Sequence, residues 1–370
     1  MYMKKLGFGL MRMPLLNEDD QTSVDIPTVC KMVDSFMEQG FTYFDTAYLY
    51  HESASERVVK EALVDRYPRE SFQLATKMPT MILKEKEDLE RIFKDQLAKC
   101  GVEYFDYYLM HCLNEENYAA TQKVDGFGFG LQMKKEGKVR TLGFSFHDTP
   151  ELLEKILNDH PEVEFVQLQI NYLDWEDESV QARACYEICM AHNKPVIVME
   201  PVKGGTLARV PAEAEKLMKD YAPDSSVASW ALRYAAGLPS VMMVLSGMSN
   251  EEQLADNTAV MNDFKPLNEE ERAIIAKVTK IVYDSIAVRC TGCQYCVEGC
   301  PEKLAIPEYF KLYNLHCQYG EDSELKARYA KQSKDHGRAS DCIACGQCEE
   351  KCPQHLPIID FLEKTAEVFD

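Results

Sequence analysis

The amino-acid sequence predicts an α/β protein in which a (β/α)8 barrel is followed by a small helical domain. Two observations predict the barrel: eight short apolar runs alternate with amphipathic stretches, and they do so within about 290 residues of a 370-residue chain. A third observation, two matching cysteine runs near the C-terminus, sets the last part of the chain apart. We therefore expect a barrel at residues 1–285 and a smaller domain at residues 286–370.

The predicted strands are short runs rich in apolar, β-branched and aromatic residues. They lie at residues 6–10, 41–47, 72–78, 105–111, 141–147, 165–171, 195–201 and 241–247. Between them, apolar residues recur at three- and four-residue intervals, which indicates amphipathic helices. Eight such alternations in about 250 residues match the size of a closed parallel barrel. The competing open sheet usually carries G-x-G-x-x-G after its first strand, and that motif follows none of the predicted strands.

The two cysteine runs share one spacing, C-x2-C-x2-C-x3-C-P, and hold eight of the chain's 14 cysteines. They comprise Cys290, Cys293, Cys296 and Cys300, and then Cys342, Cys345, Cys348 and Cys352. In two-cluster ferredoxins with this spacing, the fourth cysteine of each run ligates the other cluster. We therefore predict two [4Fe–4S] clusters, one on Cys290, Cys293, Cys296 and Cys352 and one on Cys300, Cys342, Cys345 and Cys348.

Zinc and disulfides are the alternatives for these cysteines. Structural zinc sites usually take pairs of C-x2-C units, and three cysteines within seven residues are poorly placed to pair with one another. The additional C-x2 step and the Cys-Pro ending favour iron. Between the runs, residues 301–341 predict two helices with a turn near Gly320, which favours a helical two-cluster module over a compact ferredoxin.

The charge of the chain argues against two classes of partner. Its formal net charge is −20 at pH 7 and its pI is about 4.9, so nucleic acid and anionic membranes would repel its surface. No run approaches 18 apolar residues, so we predict no membrane-spanning segment. Reduced cysteines and oxygen-sensitive clusters predict a cytoplasmic location.

Catalytic residues of a (β/α)8 barrel belong at the C-terminal ends of its strands. Asp45 lies near the end of the second predicted strand with Tyr50 just beyond it, Lys77 lies at the end of the third, and His111 ends the fourth. These four side chains can form an acid apparatus. The tyrosine hydroxyl protonates a nascent alkoxide, the lysine lowers its pKa from about 10, and the aspartate orients the lysine. The histidine can position a substrate carbonyl oxygen.

The segments that carry these residues, FDTAYLYHESASE, LATKM, YYLMH and GKVRTLGFSFHD, resemble those of the aldo/keto reductases. Asp45, Tyr50, Lys77 and His111 match that family's catalytic tetrad in order and strand position. The resemblance covers about residues 4–285, and with the cysteine runs the whole chain is similar to the iron–sulfur members of the family. The resemblance implies NADH or NADPH as hydride donor, a small carbonyl compound as substrate and Tyr50 as general acid.

The resemblance also implies a set of cofactor-binding residues at the later strand ends and in the segment LSGMSNEEQLADN. They are Ser145, Gln169, Met199, Gly247, Gln253, Asp256 and Asn257. Three positions depart from the family pattern. Phe146 replaces the asparagine that usually follows the serine, Met199 replaces a common aromatic ring, and Gln253 replaces an arginine found in many NADPH-preferring members. Because a guanidinium holds phosphate best, the last departure favours NADH slightly over NADPH.

Two kinds of redox chemistry meet in this sequence. Hydride transfer moves two electrons together, whereas a [4Fe–4S] cluster accepts one, and the sequence shows no flavin site to link them. Three functions stay open at this point. In the first, the barrel reduces a carbonyl compound with NAD(P)H and the clusters are structural or redox-sensing. In the second, the clusters deliver single electrons, from a ferredoxin or other electron-transfer protein, to a substrate or cofactor bound in the barrel. In the third, the chain is mainly an electron-transfer or docking subunit. The intact tetrad favours the first.

Overall fold

The computed structural model describes residues 4–18, 20–319 and 323–370, and it confirms the predicted fold. Eight parallel strands close into a barrel in chain order, with the last strand paired to the first. They are β1 (Leu6–Gly9), β2 (Tyr43–Asp45), β3 (Gln73–Met78), β4 (Phe105–Leu113), β5 (Val139–Phe146), β6 (Phe165–Gln169), β7 (Val196–Met199) and β8 (Val241–Gly247). Each predicted apolar run overlaps one of these strands.

Helices occupy the segments between and after the strands. They are α1 (Ile26–Glu38), α2 (Ser55–Val59), α3 (Glu87–Cys100), α4 (Glu115–Lys123), α5 (Gly126–Lys135), α6 (Pro150–Asp159), α7 (Ala182–Ala191), α8 (Ala212–Tyr221), α9 (Val227–Ala236), α10 (Glu251–Asn262) and α11 (Glu269–Ser285). A π-helical turn, Lys60–Val64, continues α2. Short 3₁₀ segments lie at Leu10–Arg12, Arg69–Ser71, Thr80–Ile82, Lys203–Ala208 and Ala339–Asp341.

Local sequence explains where several of these helices begin and end. The Asp25 side chain accepts a hydrogen bond from the backbone N–H of Thr28 at the start of α1. Asn268 and Glu271 form a reciprocal capping box at the start of α11. Helix α3 ends at Gly101, whose φ of 69° lies in the left-handed region that glycine adopts freely.

The interior of the barrel is filled by side chains and is therefore a packed core rather than a pore. Its buried residues are Tyr43, Ala75, Leu109, Phe165, Ile197, Met243 and Leu245. Gly143 makes room for one of them, because a Cβ there would lie 2.5 Å from Phe165 Cε1. A second apolar layer, between the strands and the helices, includes the rings of Phe8, Phe36 and Phe44. The filled interior leaves the strand ends as the place for a site.

The chain divides into two compact units. One comprises Met1–Pro201 and Ala228–Leu267 and contains the barrel strands; the other comprises Val202–Val227 and Asn268–Asp370. The second unit includes α8, α11, α12 (Tyr295–Glu298), α13 (Ile306–Tyr319), α14 (Ser323–His336), α15 (Gln347–Glu350) and α16 (Ile358–Phe369). Helices α13 and α14 are the two expected between the cysteine runs, and the turn near Gly320 lies outside the described residues. The domain boundary at residue 285 stays a prediction.

The second unit has its own hydrophobic core. Its fully buried members include Val288, Leu304, Tyr309, Phe310 and Leu362. These side chains come from α13, α16 and the segments that flank the cysteine runs, so the runs lie on an apolar support. Among the described residues, no helix combines the length and apolar character needed to cross a membrane.

Candidate functional site

Three of the four proposed catalytic residues form one hydrogen-bonded group at the C-terminal ends of β2 and β3. Lys77 Nζ donates to Asp45 Oδ1 at 2.6 Å, to the Thr46 carbonyl oxygen at 2.8 Å and to the Tyr50 hydroxyl at 3.2 Å. These contacts use all three N–H donors of the ammonium. The Lys77 and Asp45 side chains are almost completely buried. The ammonium is therefore held in a single position beside the Tyr50 hydroxyl.

Burial dominates the acid–base properties of this group. It raises the pKa of Tyr50, and the charge of Lys77 offsets that rise only in part. The pKa of Lys77 is lowered by burial but raised by Asp45 and Tyr50, and the net direction is upward. Near neutral pH, Tyr50 therefore keeps its proton beside a charged ammonium. Lys77 does lower the pKa of Tyr50, as the sequence predicts, but burial has the larger effect.

His111 lies near the end of β4 and contacts Tyr50. The two rings meet edge to face, with their centroids 5.9 Å apart. Burial holds the pKa of His111 well below its usual value, and the nearby Lys77 and His147 act in the same direction. The imidazole is therefore neutral, and a neutral imidazole can donate a hydrogen bond without competing with Tyr50 as the proton donor.

A β-bulge sets the position of His111. The register between β4 and β5 shifts between Met110 and Leu113, and Cys112 adopts a left-handed φ of 57°. The backbone N–H of Cys112 donates to Ser145 Oγ at 2.7 Å, which ties the bulge to β5. Sequence reasoning did not find this role of Cys112, because nothing local marks a cysteine for positive φ.

The residues implied for cofactor binding lie on successive elements around the same rim. Ser145 is on β5, Gln169 on β6, Met199 on β7 and Gly247 on β8, and Gln253, Asp256 and Asn257 are on α10. Asn257 Nδ2 donates to Ser246 Oγ at 2.8 Å and so joins α10 to β8. The hydroxyl and amide groups of Ser145 and Gln169 fit the donors and acceptors of a nicotinamide carboxamide.

A buried carboxylate orients Gln169. Asp174 Oδ2 accepts from Gln169 Nε2 at 2.7 Å and from Asn171 Nδ2 at 2.6 Å. Asp174 is 1% exposed. Asp174 lies in the loop after β6, five residues beyond Gln169, and no sequence motif identified it.

Two of the departures from the family pattern have definite surroundings. Phe146 is buried in the hydrophobic core and packs edge to face on Phe144. Met199 Sδ accepts a hydrogen bond from Gln167 Nε2 at 3.5 Å. Both side chains thus belong to the packing at the strand ends.

Arg12 was missed by sequence reasoning. It follows β1, its Nη2 lies 3.6 Å from Glu200 Oε1, and its side chain passes beside Gly247, where a Cβ would lie 3.3 Å from it. Gln253, in contrast, uses its Oε1 to accept the backbone N–H of Ser249 at 2.8 Å. Arg12 therefore brings a guanidinium to the β8 side of the rim. The sequence indicated this role of Arg12 only by its position, three residues after the end of β1.

The eight cysteines of the two runs line two cavities in the second unit. Cys290, Cys293, Cys296 and Cys352 line one, and Cys300, Cys342, Cys345 and Cys348 line the other. Each cavity has an empty volume of about 310 Å³, which includes space open to solvent. The fourth cysteine of each run thus lies with the first three of the other. Four thiols around an apolar cavity are the donor set of a [4Fe–4S] cluster, so the residues fit that group.

The two cavities, named here the first cavity (Cys290, Cys293, Cys296, Cys352) and the second cavity (Cys300, Cys342, Cys345, Cys348), differ in exposure. Cys296 and Cys352 of the first cavity are buried. In the second cavity, Cys345 is exposed and the lining residue Ile343 is 60% exposed. The second cavity therefore has the more accessible wall.

Comparisons with known proteins agree with both halves of this description. Residues 5–280 match the model of the aldo/keto reductase family, and residues 289–356 match that of the 4Fe-4S dicluster domain. The uncharacterized oxidoreductase YqkF of Bacillus subtilis (strain 168) is 25% identical over 283 residues, which are 68% of this chain and 88% of that protein.

Solved structures show the same likeness. The holo form of aldo-keto reductase AKR11C1 from Bacillus halodurans is 25% identical, with a TM-score of 0.59, over 74% of this chain and 91% of that chain. An aldo-keto reductase from Klebsiella pneumoniae in complex with NADPH is 20% identical, with a TM-score of 0.58, over 75% of this chain and 96% of that chain. The latter similarity concerns the fold alone.

Proposed function

Because the chain belongs to the aldo/keto reductase family and carries a 4Fe-4S dicluster domain, we propose that it reduces an aldehyde or ketone with NADH or NADPH. Tyr50 is the general acid of this proposal. The observation that carries it is the buried Lys77 ammonium, whose three donors reach Asp45, the Thr46 carbonyl and the Tyr50 hydroxyl. A tyrosine held beside a fixed positive charge can release its proton to a developing alkoxide.

Each side chain of the tetrad has a distinct task. A bound nicotinamide supplies the hydride that the carbonyl carbon receives. Tyr50 gives its proton to the substrate oxygen, and the phenolate that remains is stabilised by Lys77, 3.2 Å away. Asp45 keeps the ammonium charged and in place. Neutral His111 donates a hydrogen bond to the substrate oxygen and so holds it within reach of Tyr50.

The cofactor-binding residues of the proposal are Ser145, Gln169, Met199, Gly247, Gln253, Asp256 and Asn257, with Arg12 added from the structure. Asp174 accepts a hydrogen bond from Gln169 Nε2 and so fixes the orientation of that amide. Arg12 carries a guanidinium, the group that suits a phosphate best, although its Nη2 lies 3.6 Å from Glu200 Oε1. The NADPH complex of the Klebsiella pneumoniae relative supports a nicotinamide in this fold.

The cysteines of the two cavities are proposed to hold two [4Fe–4S] clusters. Clusters supply one-electron chemistry, which hydride transfer to a carbonyl does not need. A second candidate function therefore remains, in which a ferredoxin or similar protein delivers single electrons to the second unit. The exposed Cys345 and Ile343 favour this candidate, because they give the second cavity an accessible wall.

The test compares two neighbouring tyrosines in anaerobically purified protein. Oxidation of NADH and NADPH is followed with a panel of aldehydes and ketones, and Tyr50→Phe should abolish it without changing the iron content. Tyr48→Phe is the matched control, because Tyr48 packs against Lys99, with its ring centroid 3.9 Å from Nζ, and should retain activity. Turnover by Tyr50→Phe at the wild-type rate would exclude Tyr50 as the acid. Turnover driven by dithionite without nicotinamide would favour the second candidate.

A further inference from the structure

The segment after β7 holds a lysine in an unusual place. Lys203, Gly204 and Gly205 have successive positive φ angles of 45°, 63° and 101°. Glycine adopts this region freely, whereas a residue with a side chain is strained there. Lys203 is also only 2% exposed, although lysines are almost never fully buried unless they are paired. A lysine at a position that is both strained and buried points to a role for its charge.

The Lys203 side chain reaches the wall of the first cavity. Its Nζ donates to Gln354 Oε1 at 3.2 Å. Gln354 is 4% exposed, follows Cys352 by two residues and lines the first cavity with it. The ammonium is therefore one side chain removed from the place where the four thiols meet.

The residue next to Lys203 approaches the same wall at a second point. A Cβ at Gly204 would lie 2.5 Å from the backbone oxygen of Thr291, so only glycine permits this approach. Thr291 is buried and lines the first cavity, between Cys290 and Cys293. The loop thus contacts the cavity wall on both cysteine runs, which fixes the position of the lysine.

We propose that Lys203 raises the reduction potential of the cluster held in the first cavity. The inference rests on the proposed function in that it assumes a [4Fe–4S] cluster there. Accepting one electron from a one-electron donor such as a ferredoxin or dithionite adds one negative charge to the cluster. A buried cation stabilises the more negative form, since electrostatic interactions are strong where water is excluded.

Gln354 is the residue of the cavity wall that accepts the hydrogen bond from Lys203. Its Oε1 accepts from Lys203, and the same amide carries two N–H donors. Lys203 therefore determines how the amide is oriented, and hydrogen bonds near the cluster sulfurs also tune the potential. The residues that line the second cavity include no lysine, and the charged one among them, Glu302, is exposed. We therefore expect the two clusters to accept electrons at different potentials.

The experiment is an anaerobic redox titration of the full-length holoprotein followed by electron paramagnetic resonance. Iron is measured first, and the wild type should hold eight irons per chain and show two one-electron transitions. Lys203→Met should lower the equilibrium constant for reduction of one cluster at least tenfold, which lowers the reduction potential of that transition by about 59 mV for one electron. The potential of the other transition should not change. Lys203→Arg should keep the wild-type values, because it keeps the charge.

The matched control is Lys311→Met. Lys311 lies in the same unit, but its side chain is 60% exposed beside Glu308, so solvent screens its charge. The reduction potentials of both transitions should therefore not change in Lys311→Met. Two unchanged transitions in Lys203→Met would overturn the proposal. A shift in Lys203→Arg as large as that in Lys203→Met would do the same.

A second variant keeps the test decisive if Lys203→Met does not assemble its clusters. Gln354→Glu leaves Lys203 in place but neutralises its charge with a carboxylate at the hydrogen-bonded position. It should lower the reduction potential of the same transition. An unchanged potential in Gln354→Glu would reject the role of Lys203. Fewer than eight irons in the wild type would instead reject the assignment of two clusters, which is a separate failure.

Discussion

Replacing Lys77 with methionine is the most direct perturbation of the proposed acid. Methionine has a similar length but no charge, so the phenolate left on Tyr50 loses the ammonium that lies 3.2 Å from it. At an effective dielectric constant of about 20, a charge pair at this distance is worth about 5 kcal/mol. Each 1.36 kcal/mol is about tenfold in rate, so the full loss corresponds to about 10³- to 10⁴-fold.

Two effects shape the measured value. Water that enters the gap recovers part of the lost stabilisation, so we expect kcat/KM to fall by at least about 10²-fold. The variant also leaves the Asp45 carboxylate buried without its cation, and breaking a buried pair costs about 3–5 kcal/mol of folding stability. The double variant Asp45→Asn with Lys77→Met removes that carboxylate charge. It should regain stability and remain inactive.

The assay measures kcat/KM with a good aldehyde substrate, and thermal unfolding of each variant is recorded beside it. Lys99→Met is the control, because Lys99 pairs with Asp95 and lies over the ring of Tyr48 in a similar arrangement away from Tyr50. It should keep its activity. If the single and double variants at Lys77 both stay within tenfold of the wild-type kcat/KM, the electrostatic role assigned to Lys77 is wrong.

Two further predictions concern pH and the loop after β7. Burial raises the pKa of Tyr50 and lowers that of His111, so the acid stays protonated and the imidazole neutral through the physiological range. The pH profile of kcat/KM should therefore be flat from about pH 7 to 9 and fall only above that, and a midpoint between pH 7 and 8 would contradict both assignments. Gly204→Ala places a Cβ 2.5 Å from the Thr291 oxygen and should lower the free energy of unfolding by about 2 kcal/mol or more. Gly137→Ala is the control, because Gly137 has a φ of 76° and a Cβ there would have nothing within 4 Å, so this variant measures the backbone cost alone. The free energy of unfolding of both variants is measured by chemical denaturation. Equal losses of that free energy would show that the Thr291 contact does not matter.

The barrel and the four tetrad positions could be predicted from the sequence because their signals are local. Alternating runs specify strands and helices, and a parallel barrel brings the C-terminal ends of all its strands to one rim. Asp45, Lys77 and His111 could therefore be placed at one rim from their positions alone. The cysteine spacing likewise predicted which thiols share a cavity, including the exchange of Cys300 and Cys352 between the runs.

Burial and long-range contacts could not be predicted in this way. The pKa of Tyr50 depends on how much water the folded site excludes, and this desolvation outweighs the neighbouring charge that the sequence did indicate. Asp174 and Arg12 join the rim through loops whose course no local pattern specifies. The contact of Lys203 with Gln354 spans 151 positions in the chain.

The sequence by itself thus determined which elements form and which chemical groups the chain carries, since periodicity and motif spacing act over a few residues. Only the tertiary structure decided which of those groups are buried and which distant charges meet, because desolvation and electrostatic contact depend on distances in space.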